Sequence, residues 1–539
     1  MSVSSAPDHA THAVFNQPPP LAPYNVFEAD VALGEAVARE GGGWGVDRLR
    51  GAGELAGSPE AIAHAERAER NEPTLRTHDR YGNRIDEVEL DPSWHWLLRQ
   101  AIERECHGLP WRDPQPGAHV VRSSLFMVWS QTDAGVMCPV SMTHAVVPAL
   151  RESPELAAEW EPRLTSPDYA GGALAGMAMT EKQGGSDVRA NTTTAVPAGD
   201  GWWEITGHKW FCSYPPCDIF LTLAQTDAGI SCFLIEGPGR AGGQPGFRIQ
   251  RLKEKLGTRS LPSSEVEFRA LPAQLVGEEG RGVQTIIRMV NHTRLDCLIG
   301  SAASIRWGTA QAVHHARHRS AFGRLLADQP AMRNVLCDLQ LESEAATALA
   351  LRIARAYDDA DAPFRRFATA VSKYWICKRA PQHALEALEC LGGNGYVEES
   401  GMPRLLRDSP LNSIWEGSGN VAALDVLRAM VREPEGLPAF LAEVELAAGA
   451  DARLDAHIDR VKESVAALAA DGDPQWGARR VVEALALALQ GSLLVRHAPP
   501  AVADGFCASR LAPGGHGYVF GDLPAGIDAE PILARALAA

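Results

Sequence analysis

Met177-Ala-Met-Thr-Glu-Lys-Gln-Gly-Gly-Ser-Asp-Val188 is the stretch at which the 539-residue chain changes texture, and the fold is read outward from it. On its N-terminal side, from about Val31 to Leu174, Ala-rich segments of helical spacing are separated by Pro and Gly breaks such as Leu109-Pro110 and Pro114–Gly117. A helical run over Leu125–Leu150 carries an expected interruption at Cys138-Pro139. On the C-terminal side, to about Val276, the segments become short and β-like: Trp202–Thr206 ending at Gly207, Ile219–Gln225, Ser231–Ile235, Phe247–Gln250 and Glu265–Phe268. Strands at that spacing, without long helices between them, predict a small barrel rather than a Rossmann sheet. From Gly282 to about Arg432 long helices return, with Leu336, Leu339, Ala346, Ala350, Ile353 and Tyr357 on one face, which predicts a bundle. The expected architecture is α+β in four parts. These are an arm and helical domain over 1–176, a β-barrel domain over 177–276, a helical bundle over 277–433 and an extra helical domain over 434–539.

The remaining sequence bounds the class. The chain is 45% hydrophobic and 22% charged, with a net charge of −16, so it carries apolar material for several cores and no global basic footprint for nucleic acid or anionic membranes. Ten cysteines are scattered without C-x-x-C spacing and read as reduced core thiols, with no metal site expected. No basic start followed by a long apolar run opens the chain, and no run approaches 18 apolar residues, so a cytoplasmic protein without a membrane span is expected. Residues 1–30, with Pro18-Pro19-Pro20 and Pro23, predict an extended arm, either free or packed on another subunit.

Three motifs can carry chemistry. In the first, 177–188, Gly184 and Gly185 leave room for a ligand at the backbone, Thr180 and Ser186 offer hydroxyls, and Glu181 and Asp187 can brace the turn; a purely structural Gly turn reads equally well from these residues alone. The second, Glu389-Cys-Leu-Gly-Gly-Asn-Gly-Tyr396 with Arg404, Arg407 and Asp408, follows a helix and lacks G-x-G-x-x-G spacing, so a helix ending in a Gly-rich turn describes it better than a dinucleotide fingerprint. The third, Asn412-Ser-Ile-Trp-Glu-Gly-Ser-Gly-Asn-Val421, sets Glu416 between bulky Ile414-Trp415 and flexible glycines, just before a helix expected near Asn420. A carboxylate so placed, if desolvated, gains basicity for proton abstraction. Arg319-Ser-Ala-Phe-Gly-Arg324 with Gln329 reads alone as packing at a helix end, and His314, His315 and His318 beside it as a solvated helix face.

Taken together and in order, these motifs resemble the flavin-dependent acyl-CoA dehydrogenase family. Ala178–Ala190 and Glu389–Asp408 fit its two signatures, and Gly207-His-Lys-Trp-Phe-Cys-Ser213, Lys255-Leu-Gly-Thr-Arg259 and Gly277–Gly282 are similar to its other segments. Within the family the chain looks most like the AidB-type proteins of the bacterial adaptive response to alkylation, through 179–188, 207–211, 413–420, Cys138-Pro139 with Met142-Thr143, and Asn16-Gln17-Pro18. The resemblance implies FAD, a homotetramer, and a core of helical domain, β-barrel and four-helix bundle. It implies Met179, Thr180, Gly185, Ser186, Phe211 and Ser213 along the flavin. Arg319, Phe322 and Gln329 would reach the FAD of a neighbouring subunit, with Gly392, Gly393, Ser418 and Asn420 as further cofactor positions. Glu389 replaces a common Gln. Ser186 and Arg294 are expected at the substrate.

Glu416 is the implied base for α,β-dehydrogenation of an acyl-CoA, with FAD taking the hydride. Some relatives place the base one residue before an Arg on another helix; here that position is Thr293, which cannot serve as one. The AidB-type resemblance implies an alternative, a flavin-containing protein that binds or protects DNA. Against it, residues 434–539 hold eight Lys/Arg and fourteen Asp/Glu, a balance of 8 − 14 = −6, which supplies no counterion-release drive; Arg365-Arg366 and Arg479-Arg480 are the candidate local patches.

Overall fold

The computed structural model describes residues 14–240, 243–359, 361–470, 472–513 and 519–537. The first third is helical: α1 (Val31–Arg39), α2 (Val46–Ala56), α3 (Pro59–Arg70), α4 (Pro92–Glu103), the short α5 (Leu109–Arg112), α6 (Ala118–Ser130), α7 (Met137–Leu150) and α8 (Pro154–Leu164). Side chains of Asp30, Ser58 and Asp91 accept backbone N–H bonds at the starts of α1, α3 and α4, satisfying donors that no helical carbonyl can reach. The expected break at Cys138-Pro139 lies earlier, over 131–136. Pro139 falls in the first turn of α7, where its missing N–H has no partner to lose. A hairpin the sequence reading did not anticipate, β1 (Thr74–His78) and β2 (Arg84–Glu89), interrupts this helical part.

The middle strands are β3 (Ala175–Ala178), β4 (Thr194–Gly199), β5 (Trp202–Cys212), β6 (Ile219–Thr226), β7 (Gly229–Glu236), β8 (Phe247–Leu252) and β9 (Ser264–Val276). They run β6-β4-β5-β9-β7 and close by an antiparallel β6–β7 pairing, with β3 parallel on β6 and β8 on β9. Closure removes the open edges and gives the barrel. Strand β5 does not stop at Gly207 as expected. It bulges between Ile205 and Gly207 and continues, because a Cβ at 207 would lie 2.7 Å from the Cα of Thr193 and only glycine lets the two backbones pass.

The 37-residue α9 (Gly282–His318), a short hairpin β10 (Ser320–Ala321) and β11 (Arg324–Leu325), α10 (Pro330–Asp358), α11 (Ala362–Cys390), α12 (Met402–Asp408) and α13 (Gly419–Arg432) follow. The chain ends in α14 (Gly436–Val444), α15 (Ala452–Ala470), α16 (Ala478–His497), α17 (Pro500–Phe506) and α18 (Ala529–Ala536). This last segment packs back on the bundle: Leu485, Leu489, Phe506 and Ile532 belong to the same apolar cluster as Leu349, Phe367 and Val426, and that cluster extends into the barrel through Ile205, Phe233 and Val266. Arg306 of α9 donates to the carbonyls of Ala29 and Ala536 and pairs with Asp30, fastening both ends of the described chain to one helix. Among the described residues no helix is long and apolar enough to cross a membrane.

Candidate active site

The stretch before α13 presents Glu416 on a backbone that ordinary residues avoid: its φ is +58° and that of Gly417 is +105°. Such a conformation persists only where its surroundings over-determine it. Here two buried cations do so. Lys373 of α11 donates to the carbonyls of Trp415 (2.9 Å) and Gly417 (2.5 Å), and Arg294 of α9 donates to the carbonyl of Glu416 itself (3.0 Å). Arg294 is anchored in turn on Asp425 (2.8 Å), which Arg366 also holds at 3.0 Å. The Trp415 indole closes the turn on Asn412 (2.9 Å).

The carboxyl of Glu416 has one oxygen, Oε2, out of solvent and without a hydrogen-bond partner. Burial raises its pKa above the ordinary carboxylate value, while the neighbouring Thr293 hydroxyl and the charges of Arg294 and Lys373 act in the other direction. Thr293 thus stands against Glu416, so the two positions at which a base can be sought converge on one site and only Glu416 can take a proton. The Cys138 thiol lies close enough to feel the charge of Glu416 and stands beside Ser213, just past the end of β5.

The first motif is built around a buried ion pair. Lys209 of β5 meets Glu181 at 2.9 Å, both side chains fully enclosed, and also donates to the Leu223 carbonyl at 2.8 Å. Glu181 accepts further bonds from the backbone N–H groups of Thr192 and Thr193. Burial alone would raise this carboxyl, but Lys209 and these donors outweigh it and hold it at about 2. The backbone N–H of Trp210 donates to the Thr180 carbonyl at 2.7 Å, seating the Gly turn beside the strand that carries Phe211 and locking the two together. Met179, Thr180 and Ser213 are half-buried, whereas Gly185, Ser186 and Phe211 are exposed, an unspent surface for a ligand at this end of the barrel.

The positions expected to meet a second subunit lie together at the other end of the bundle. Phe322 is 99% exposed on the β10–β11 turn with φ +54°. Arg319 donates to the Asn16 carbonyl, and Gln329 to the Ala321 carbonyl at 3.0 Å. The arm expected to be free or to cross to another subunit is docked on its own chain from Asn16 to Pro19. Asn16 bonds both backbone groups of Ser320, Gln17 accepts from Asn394, and the Pro19 carbonyl meets His314 at 2.8 Å. That contact, with His315 buried, corrects the expectation of a solvated histidine face; His318 alone of the three is exposed. Gly392 (φ +59°) and Gly393 have open space where a Cβ would stand. Arg404, Arg407 and Asp408 of the second motif are engaged with the Thr132 carbonyl, Glu398 and the Thr258 N–H, so this motif and Lys255–Arg259 support each other.

Arg294, expected at the substrate, donates to the Glu416 carbonyl and pairs with Asp425. Asn420 accepts from Arg479 of α16 at 2.8 Å, while Ser418 heads α13 without a side-chain cap bond. Lys373 was not singled out from sequence. It lies 42 and 44 residues from its two acceptors, and no local pattern marks it. A cleft of about 510 Å³ between the β1–β2 hairpin and the barrel, lined by Asp86, His95, Tyr214 and Arg240, touches none of these residues.

Comparison with known proteins finds three family models along the chain. Residues 16–171 match the adaptive response protein AidB N-terminal domain, 176–271 the acyl-CoA dehydrogenase middle domain and 280–431 the acyl-CoA dehydrogenase C-terminal domain. The chain is 41% identical over 518 residues to the putative acyl-CoA dehydrogenase AidB of Escherichia coli, covering 93% of this chain and 94% of that one. It is 32% identical to acyl-CoA dehydrogenase family member 11 of Caenorhabditis elegans, over 74% of this chain and 69% of that one. The solved structure of Caenorhabditis elegans ACDH-11 in complex with C11-CoA superposes with a TM-score of 0.88 at 27% identity, covering 95% of each chain.

Proposed function

The chain belongs to the acyl-CoA dehydrogenase family, on its AidB side, and from that premise we propose that it is an FAD-dependent oxidoreductase acting on the Cα–Cβ bond of an acyl-CoA, with Glu416 as the base. The observation that carries this reading is the Glu416 carboxyl, with one oxygen buried and unpartnered on a pinned left-handed turn. Its proton affinity is raised by burial, as α-proton abstraction from a weak carbon acid requires.

The exposed Gly185, Ser186 and Phe211, and the bare Gly392 and Gly393, fit a large, flat, anionic cofactor, since they combine an aromatic face, free hydroxyl and amide donors and space at the backbone. Met179, Thr180, Gly185, Ser186, Phe211 and Ser213 would hold the flavin portion, with Ser418 and Asn420 nearby. Arg319, Phe322 and Gln329 would hold FAD of a neighbouring subunit and Gly392 and Gly393 its far end, in a homotetramer. The 99% exposure of Phe322 supports a contact beyond this chain. Bound FAD supplies the acceptor for the hydride from the substrate's β-carbon. Glu416 takes the α-proton, Arg294 and Lys373 hold its backbone in place, and Thr293 stands beside the carboxyl. The C11-CoA complex of the worm relative supports an acyl thioester as substrate. All ten cysteines are unpaired and buried, in keeping with a cytoplasmic setting.

Anaerobic titration of the purified flavoprotein with straight and branched acyl-CoA esters tests the proposal. Bleaching of the oxidised flavin band by one ester, abolished in Glu416→Gln, is the expected result. A flavin that no ester reduces, with no effect of Glu416→Gln, overturns it.

A further inference from the structure

Helices α6, α7 and α9 meet around a group of rings the proposed reaction does not use. His119 of α6, His144 of α7 and His292 of α9 are 7%, 0% and 9% exposed. Their ring nitrogens lie within 4.8 Å of one another. Among the described residues no other group of three or more His, Cys, Asp or Glu side chains converges in this way. His119 Nδ1, His144 Nε2 and His292 Nδ1 have no hydrogen-bond partner. A buried polar atom left unpaired costs about 1–3 kcal/mol, so one such atom on each of three clustered rings is not ordinary core packing.

The tautomer of one ring is fixed. His144 Nδ1 lies 2.9 Å from the His107 carbonyl, which can only accept, so Nδ1 carries the proton and Nε2 presents a lone pair. A second-layer carbonyl on the distal ring nitrogen is the arrangement that orients metal-bound histidines. The ring centroids are 5.3, 5.7 and 5.8 Å apart. Three imidazoles at metal–nitrogen distances of about 2.1 Å in a tetrahedral shell put their ring centroids about 5.2 Å apart, so the rings stand near that spacing already. Trp111 stacks on His144 at 5.0 Å and stands edge-on to His119 at 5.1 Å, while its indole donates to the His144 carbonyl; Tyr357 lies 4.7 Å from His292. These walls restrict ring rotation. The neighbouring Arg122 is neutralised by Asp296.

We propose that His119, His144 and His292 form a binding site for one borderline divalent transition-metal ion of the zinc class, with water in the fourth position of a tetrahedral shell. Nitrogen-only ligation without carboxylates favours zinc-class ions over calcium or magnesium. The ion would clamp α6, α7 and α9 at one point. On α9 that point immediately precedes Thr293 and Arg294, the residues that face the Glu416 turn.

The test uses the full chain without an affinity tag, stripped of metal with a chelator and titrated with Co2+ and, separately, Zn2+. One equivalent of Co2+ per chain is expected, with the intense visible absorption of a tetrahedral site, and Zn2+ should displace it and raise Tm. His144→Phe and His292→Leu should each weaken binding at least 100-fold. His318→Ala, at an exposed histidine that packs on His314, should leave stoichiometry and affinity unchanged. The proposal is overturned if the stripped wild-type chain takes up no Co2+ and shows no Zn2+-dependent Tm shift. It is overturned equally if binding is lost in His318→Ala and retained in His144→Phe. The wild-type arms decide the matter even if a triad variant fails to fold.

Discussion

Breaking the Glu181–Lys209 pair from either side should cost far more than removing it whole. Both side chains are fully enclosed at 2.9 Å. In Lys209→Met the Glu181 carboxylate keeps its bonds from Thr192 and Thr193 but loses its counter-charge, and the Leu223 carbonyl loses its donor. An uncompensated buried charge costs about 3–5 kcal/mol. The proton affinity of Glu181 gives a second route to the same size: a carboxyl held at about 2 instead of 4.5 is favoured in its charged form by about 3 kcal/mol. Lys209 is shifted downward chiefly by burial, so its own desolvation opposes that gain. Glu181→Gln strands the ammonium in turn, at about 3 kcal/mol. The double variant Glu181→Gln/Lys209→Met removes both desolvation costs and should be more stable than the sum of the single losses by about 2–3 kcal/mol. Urea unfolding at pH 7 of the four proteins measures this coupling, and a value under about 0.5 kcal/mol refutes the reasoning. Because the folded pKa is depressed, the stabilisation is present above about pH 4.5 and is lost as pH falls toward 2, a slope Glu181→Gln should lack. The pair also locks the Gly turn 180–186 to β5, so flavin retention should fall in both single variants.

Further outcomes follow from the same geometry. Glu416 is shifted upward by burial, so the fold binds its proton more tightly than the unfolded chain does and loses stability as pH rises from the unfolded value through the folded one. Glu416→Gln should therefore raise Tm at pH 8 while abolishing flavin bleaching, and a lowered Tm would count against the strain assigned to this carboxyl. The rate of bleaching in the wild type should rise with pH through a value above the ordinary carboxylate range. Gly207→Ala puts a methyl 2.3 Å from Thr193 Oγ1 and 2.7 Å from its Cα and should destabilise the barrel by about 1–3 kcal/mol, measured by urea unfolding. Gly393→Ala meets open space and should leave stability within about 0.5 kcal/mol, yet weaken FAD binding; unchanged flavin affinity would remove Gly393 from the cofactor site. Many of the cations of the C-terminal segment are engaged with partners, Arg496 with Glu443, Arg510 with Asp338 and Arg535 with Glu35 and Glu344, and the patches Arg365-Arg366 and Arg479-Arg480 are partly engaged by Asp425 and Asn420. Duplex DNA should accordingly show no binding at 0.1 M salt in a mobility-shift assay, and tight binding with a steep salt dependence would revive the DNA reading.

What could be read in the sequence and what could not divides along the length scale of the interactions. The barrel was legible because each strand declares itself locally: Ile219–Gln225 and Ser231–Ile235 are runs of β-branched and aromatic residues bounded by turn formers. The β1–β2 hairpin was not, because each of its strands carries few apolar residues and no alternation stands out. Its place is set from outside, by Asp86 accepting the Ile249 N–H at 3.1 Å and Arg84 donating to the Ile249 carbonyl at 2.6 Å on β8. The docked arm is the same case, since Asn16 finds its partner 304 residues away at Ser320.

The site repeats this division within a few ångströms. Trp415-Glu-Gly-Ser-Gly419 announces a carboxylate on a flexible turn, and that much is local chemistry. A flexible turn by itself would make a poor base, because a free carboxylate on glycine hinges relaxes toward water and loses the basicity that burial confers. What holds Glu416 out of water is Arg294, 122 residues upstream, and Lys373, 42 to 44 residues upstream, each donating to main-chain carbonyls rather than to the carboxyl. Donation to the carboxyl would stabilise its charged form and cancel the rise in proton affinity. Donation to the carbonyls beside it restrains the backbone, and the two charges lower the carboxyl only from a distance. The histidine triad makes the parallel point: each ring alone reads as an unremarkable residue on an apolar helix, and only the meeting of α6, α7 and α9 brings one nitrogen of each ring within 4.8 Å of the others. Since His292 is followed directly by the two α9 residues that face Glu416, the packing that assembles the rings is also part of what positions the base.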